Sequence, residues 1–183
     1  MSALLCFAGV SGAGKDTAGA YLEECHGFVR VAVADTLKQV MMQLFGLTEA
    51  QLWGNARNVP DPRLGRAPRD LYQEFGEACV RIDPEVWLRP FRALVGALLQ
   101  EGDSVVCTDL RTMDELHVAK QLGGAAWLLR RHTAGAPGAL ALHRTETELA
   151  AAPAELFDGV IFNDGSVADL YAQIDAALTA HRT

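Results

Sequence analysis

Gly9-Val10-Ser11-Gly12-Ala13-Gly14-Lys15-Asp16-Thr17 is the stretch whose reading decides the fold. The run before it, Ala3 to Ala8, is apolar throughout and reads as a buried strand. The run after it spaces Ala18, Tyr21, Leu22 and Cys25 by three and four residues, which predicts a helix. Strand, glycine-rich turn and helix together make the GxxxxGK match a phosphate-binding loop. Glycines let backbone N–H groups turn toward phosphate oxygens, the helix N-terminus adds its dipole, and Lys15 supplies a point charge. Asp16 stands where Ser or Thr usually follows the lysine, and Thr17 comes one residue later.

Working outward, 183 residues suit one domain, 1–183, with a sizeable core. The formal net charge of −7 argues against a protein that coats nucleic acid by bulk charge, although a local basic patch stays compatible with it. Lys15, Lys38 and Lys120 are the lysines; arginine carries the rest of the positive charge, and its planar fork suits bidentate phosphate contacts. Cys6, Cys25, Cys79 and Cys107 are scattered without a CxxC pair, a reduced pattern with Cys6 and Cys107 as small core residues. Met1 to Ala8 lacks the basic start of a signal peptide and no apolar run reaches membrane-span length, so the expectation is a cytoplasmic protein with no membrane partner.

Along the chain, Gly27 stops the first helix, Phe28 to Ala34 reads as the second strand, and Asp35 caps a helix to about Phe45. Met41 and Met42 are core packing. Gly54 to Ala67 is irregular, and its Arg57, Arg63, Arg66 and the adjoining Arg69 suggest either a solvated loop or an anion site. Pro68 opens a helix through Phe75, and Pro84 to Glu101 is helical in pattern with Pro90 expected to split or kink it. Ser104 to Asp109 is a third strand ending on a carboxylate, the way a magnesium-side acid is placed beside phosphates. Met113 to Leu122 reads as a helix, Ala125 to Leu129 as a fourth strand, and Arg130 to Arg144 as a mobile loop bearing Arg130, Arg131, His132, His143 and Arg144. Thr145-x-x-Glu148 can cap a short helix; Gly159 to Phe162 is a fifth strand, and Ser166 to Asp169 is a capping box that opens the last helix. Strands alternating with helices predict an α/β protein with a parallel sheet covered on both faces.

These residues resemble the phage-type deoxynucleoside monophosphate kinases. The resemblance is carried by Gly14-Lys15-Asp16-Thr17, Ala34-Asp35-Thr36-Leu37-Lys38 and Ala67-Pro68-Arg69-Asp70-Leu71-Tyr72-Gln73-Glu74-Phe75-Gly76. It continues through Asp109-Leu110-Arg111 with Glu115, His143-x-x-Glu146 and Asn163-Asp164-Gly165. It implies a P-loop NTPase fold, three layers α/β/α, with a five-stranded parallel sheet of order 2-3-1-4-5. It also implies an acceptor-binding insertion over 47–84, a lid over 130–148, and ATP with magnesium as phosphoryl donor. Thr112, Met113 and Asp114 replace the aromatic, Pro and Asn usual after Asp-Leu-Arg, and Ala67 replaces a Ser. Those departures bear on the acceptor more than on phosphoryl transfer.

In phosphoryl transfer a protein mainly positions two substrates and neutralises developing charge. Lys15, with backbone from Ser11, Gly12, Ala13 and Gly14, is expected on the donor phosphates, and Asn163 and Gly165 near the donor base. Thr17, or Asp16, would complete magnesium coordination with Asp109; a carboxylate at position 16 is unfavourable near phosphates unless a cation stands between them. Arg69, Arg81 and Arg111 are candidates for the acceptor phosphate, with Asp35, Lys38 and Gln73 beside them, and Arg130 and Arg131 for charge stabilisation. The acceptor is a free deoxynucleoside monophosphate in the first reading. In the second it is a hydroxyl, on a small metabolite or a hydroxymethylated pyrimidine in DNA, with Asp35 as base or orienter. A nucleotide-binding protein without catalysis is the third. Monomer and homodimer both remain open.

Overall fold

The computed structural model describes residues 2–132, 148–149 and 151–182. In chain order they form β1 (Leu4–Ala8), α1 (Lys15–His26), β2 (Val29–Arg30), α2 (Asp35–Phe45), α3 (Glu49–Leu52), α4 (Pro68–Ile82) and α5 (Leu88–Glu101). There follow β3 (Val105–Leu110), α6 (Met113–Gln121), β4 (Ala125–Arg130), β5 (Gly159–Phe162) and a last helix, α7 (Val167–Arg182). The strands make one sheet in order β2-β3-β1-β4-β5, parallel at every pairing, with helices on both sides. That is the α/β class and the strand order the resemblance implies.

β1 is central because every one of its residues is buried, as a strand covered on both faces requires. Leu5 pairs with Val106 on one side and with Ala125 on the other. Cys6 and Cys107 are register partners and fully buried, so both serve as small core residues. Gly27 (φ +68°) ends α1 in the left-handed conformation expected of it. At the start of α7, Ser166 Oγ accepts from Asp169 N–H (3.2 Å) while the Asp169 carboxylate accepts from Ser166 N–H (2.8 Å), the capping box read from the sequence.

Three local expectations are corrected. The second strand is two residues long, not seven: after Val31 N–H reaches Val106 O, the next available N–H, on Val33, goes to the Asp109 carboxylate (3.0 Å) instead of to a ladder carbonyl. Pro90 neither splits nor kinks α5, because it is that helix's third residue, where a missing N–H costs little. Asp35 is the first residue of α2 and makes no side-chain cap; its carboxylate is used elsewhere.

The chain packs as two compact units, Met1–Val33 with Arg92–Thr183, and Ala34–Phe91. The residues expected as an insertion, 47–84, all fall in the second. The first unit's core runs through Leu5, Phe7, Leu22, Leu129, Ile161 and Ile174. The second has its own smaller core of Leu37, Met41, Leu47, Leu52 and Tyr72, with Met42 packed against it, as expected of both methionines. The expected lid, 130–148, lies outside the described residues apart from Arg130, Arg131, His132 and Glu148, so His143, Arg144, Glu146 and the Thr145 cap do too.

Candidate functional site

Within the first unit, β1 delivers the chain into a loop with three glycines at positive φ: Gly9 (+142°), Gly12 (+83°) and Gly14 (+107°). Two of them also have no room for a side chain. A Cβ on Gly9 would lie 2.4 Å from the Leu129 carbonyl oxygen, and one on Gly14 would lie 2.3 Å from Asn163 Nδ2. The Lys15 ammonium folds back over this turn and donates to the carbonyls of Gly9 (2.6 Å) and Val10 (3.0 Å). α1 begins at Lys15, and the first amides of a helix have no carbonyl of their own helix to reach. Glycine turn, helix N-terminus and lysine converge on one anion cradle.

A parallel sheet brings the carboxyl ends of its strands to one edge, where ligands bind in open α/β folds. Asp109 stands near the end of β3, its Oδ1 accepting Val33 N–H (3.0 Å) and the Cys107 thiol (3.2 Å). A hydrogen bond with Cys6 and burial hold that thiol well above its ordinary pKa, so it stays a donor. Glu115 lies close by, its Oε2 accepting the N–H groups of Arg111 and Thr112. Burial and then the Asp109 charge push the Glu115 carboxyl up to about 7.

β4 ends on exposed Arg130, whose carbonyl accepts Asn163 N–H (2.8 Å), and the buried Asn163 side chain donates to Ala13 O (2.9 Å). Asn163, expected near the donor, is thus brought against the glycine loop. Gly165 is exposed one turn further on. His132 binds Asp164 twice, through its N–H (2.8 Å) and through Nδ1 (2.6 Å), and these contacts hold the Asp164 carboxyl below its usual range. A pocket of about 280 Å³ opens among Val10, Leu129, Arg130, Arg131, His132 and Phe162, room for a planar ring beside the loop.

Asp16 and Thr17 are exposed in the first turn of α1. The Asp16 carboxylate pairs with Arg30, which also donates to Thr108 Oγ1 (3.0 Å). Arg30 is the cation that a carboxylate at position 16 needs, and no local spacing links the two, because Arg30 lies in β2, beyond the end of α1.

In the second unit, the Asp35 carboxylate accepts the Trp53 indole N–H at 2.8 Å, and Lys38 Nζ stands 5.3 Å from the Trp53 ring centroid. Trp53, which closes α3, was missed because a lone tryptophan in an irregular stretch has no period to place it. Arg69 and Gln73 are half-buried and share a face of α4 at spacing four. Arg81 lies in the last turn of α4, exposed, where a cation also complements the helix dipole. Two arginines of the irregular loop are committed to carboxylates, one within the loop and one on α4. Arg63 forks onto buried Asp61 (Nη2 at 2.8 Å) and Arg66 pairs with Glu74 (2.7 Å). The side-chain and backbone hydrogen bonds from Arg63, and then Gln51 (2.7 Å), hold the Asp61 carboxyl far below its usual range.

Magnesium bound with a nucleotide usually takes one or two protein ligands and completes its shell with phosphates and water. Thr17 and Asp109 fit that limited part. Among the described residues no cluster of three His, Cys, Asp or Glu is arranged to hold a metal by itself.

No protein-family model matches the chain. A protein of Acanthamoeba polyphaga mimivirus named "Putative deoxynucleotide monophosphate kinase" is 29% identical over 93% of each chain. Dephospho-CoA kinase of Campylobacter jejuni superposes with a TM-score of 0.59 at 10% identity, over 98% of this chain and 96% of that one. A sugar kinase of a Janibacter species gives 0.53 at 18%, over 98% and 94%. The chain has the fold of a P-loop kinase. The resemblance read from the sequence is met by a relative that carries the name, and relative and structural neighbours alike are kinases. Among the described residues no helix is long and apolar enough to cross a membrane.

Proposed function

We propose that this chain is an ATP-dependent kinase that phosphorylates a deoxynucleoside monophosphate to the diphosphate. The observation that carries the kinase reading is the loop itself: three positive-φ glycines, two without space for a Cβ, under a lysine at the start of α1. The mimivirus relative's name supports the acceptor class.

Lys15 and the amides of residues 11–17 bind the donor phosphates, and leave Gly9 and Val10 carbonyls to do so. Thr17 and Asp109 would hold magnesium, which would supply positive charge beside the donor phosphates. Asp16 keeps Arg30 oriented at the loop, so its carboxylate is balanced by a guanidinium. The donor base lies in the pocket between Arg130 and Phe162, close to Asn163 and Gly165. Arg130 and Arg131 neutralise charge that develops during transfer. Asp35, Lys38, Arg69, Gln73, Arg81 and Arg111 serve the acceptor, Arg111 from the β3–α6 turn.

A monophosphate is already anionic and needs no strong base, whereas a hydroxyl must lose its proton as it attacks. Asp35 already holds the Trp53 N–H, which suits orienting a sugar better than shuttling a proton. The test is a screen of dAMP, dCMP, dGMP, dTMP, modified pyrimidine monophosphates, hydroxyl metabolites and hydroxymethylated DNA with labelled ATP and magnesium. One or more free monophosphates should be converted, and Lys15→Ala should lower turnover by roughly a hundredfold or more with an unchanged circular dichroism spectrum. Label on hydroxyl acceptors alone would replace this reading with the second, and label on nothing would leave a nucleotide-binding protein.

A further inference from the structure

Trp53 is 40% exposed, yet it is held firmly for a residue with so much of its ring in water. Leu52 before it is fully buried in the core of its unit. Thr48 and Gln51 close a capping box on α3, and Gln51 Nε2 is pinned by buried Asp61 at 2.7 Å. Gly54 after it sits in a turn so tight that a Cβ there would lie 2.8 Å from the Ala50 backbone. The indole N–H is fixed on Asp35, and the Lys38 ammonium stands over one face of the ring, 5.3 Å from its centroid.

Leaving apolar ring surface in water forfeits hydrophobic stabilisation, so a fold that fixes such a ring in one orientation has prepared a surface rather than filled a core. The chemistry of that surface is specific. An indole face attracts a planar heterocycle, and next to it stand one carboxylate for sugar hydroxyls and one ammonium for a phosphate. A base-free sugar phosphate would use the two charges and leave the ring unused.

We infer that Trp53 is the stacking platform for the acceptor's nucleobase and so restricts the acceptor to nucleoside monophosphates. This rests on the proposed phosphorylation of a monophosphate and names the residue that selects it. Asp35 and Lys38 then hold the sugar and phosphate of the molecule whose base lies on Trp53.

The test compares the intact protein with Trp53→Phe, which keeps an aromatic face without the N–H, and Trp53→Leu, which keeps neither. With the monophosphate that the screen selects, W53L should raise KM about ten- to a hundredfold and W53F by no more than about threefold, the range set by losing or keeping one base stack. ATP KM should be unchanged in both, which also reports an intact fold. Deoxyribose 5-phosphate as competitor should inhibit all three proteins equally, since it carries no base. The monophosphate should also quench the indole fluorescence of the wild type and not that of W53F.

An unchanged KM in W53L would overturn the platform while leaving the kinase reading in place. W53F as impaired as W53L would overturn it too, assigning the indole only to positioning Asp35. A wild type quenched by a monophosphate that it does not convert would sink the monophosphate-kinase reading and uphold the platform; an unquenched wild type would overturn the platform.

Discussion

Glu115 shows how one carboxyl beside Asp109 ties folding to pH. Its pKa in the folded chain is about 7, against an ordinary 4.5, first because it is buried and then because Asp109 is near. A folded pKa above the unfolded one means that the stability this group allows is fully present below about 4.5 and is lost as pH rises through 7. Glu115→Gln keeps an oxygen to accept the Arg111 and Thr112 N–H groups and removes the titration. In magnesium-free buffer the variant should match the wild type near pH 4.5 and gain up to about 3 kcal/mol over it by pH 8. Urea unfolding at the two pH values measures this, and a gap that does not change with pH would refute it. At this same scale the sequence was partly readable. Gly9, Gly12 and Gly14 announce a turn that side chains would obstruct, since the requirement is local. Asn163, whose Nδ2 fills the space a Gly14 Cβ would need, is 149 residues away from that glycine, and spacing along the chain carries no trace of it.

Elements were legible where one force acts alone and were misjudged where two compete. β1 throughout, and β3 and β4 up to their polar carboxyl ends, are apolar runs, so hydrophobic pattern is enough to place them. Phe28 to Ala34, apolar apart from Arg30, reads as a longer strand than it forms, because the Asp109 carboxylate captures the Val33 N–H and stops the ladder. Pro90 was misjudged because the helix pattern over 84–101 hid where α5 starts. The start at Leu88 puts Pro90 in the first turn, and this placement can be measured. Pro90→Ala should change unfolding free energy by less than about 1 kcal/mol, the usual range for a substitution that breaks nothing. A proline interrupting the helix interior would instead give a gain of about 3 kcal/mol on removal. Chemical denaturation separates the two outcomes, and the larger gain would return Pro90 to the role of a helix breaker.

At the scale of the whole molecule, two compact units with separate cores divide the proposed contacts. Those for the donor (Ser11 to Thr17, Asp109, Asn163) belong to the unit built around the sheet, and most for the acceptor belong to Ala34–Phe91. The donor side was legible because one unbroken stretch carries glycines, lysine and helix start together. The acceptor side was less so: Asp35, Lys38 and Arg69 came with the family resemblance, whereas Trp53 meets Asp35 only once α3 folds against the first turn of α2. The division predicts what each ligand protects when added by itself. Amide hydrogen exchange with a non-hydrolysable ATP analogue and magnesium should slow at 9–17 and 163–165. A deoxynucleoside monophosphate should slow 35–38, 52–54 and 69–73. At a ligand concentration a hundred times Kd, amides that exchange only from the unliganded protein should slow by up to about a hundredfold. The monophosphate decides the matter, since the analogue has the glycine loop as its expected site under any kinase reading. Protection confined to 9–17 would make the monophosphate a donor mimic and remove the acceptor role from Asp35, Lys38 and Arg69 together. Protection of 69–73 without 52–54 would keep the arginine contact and detach the base from Trp53.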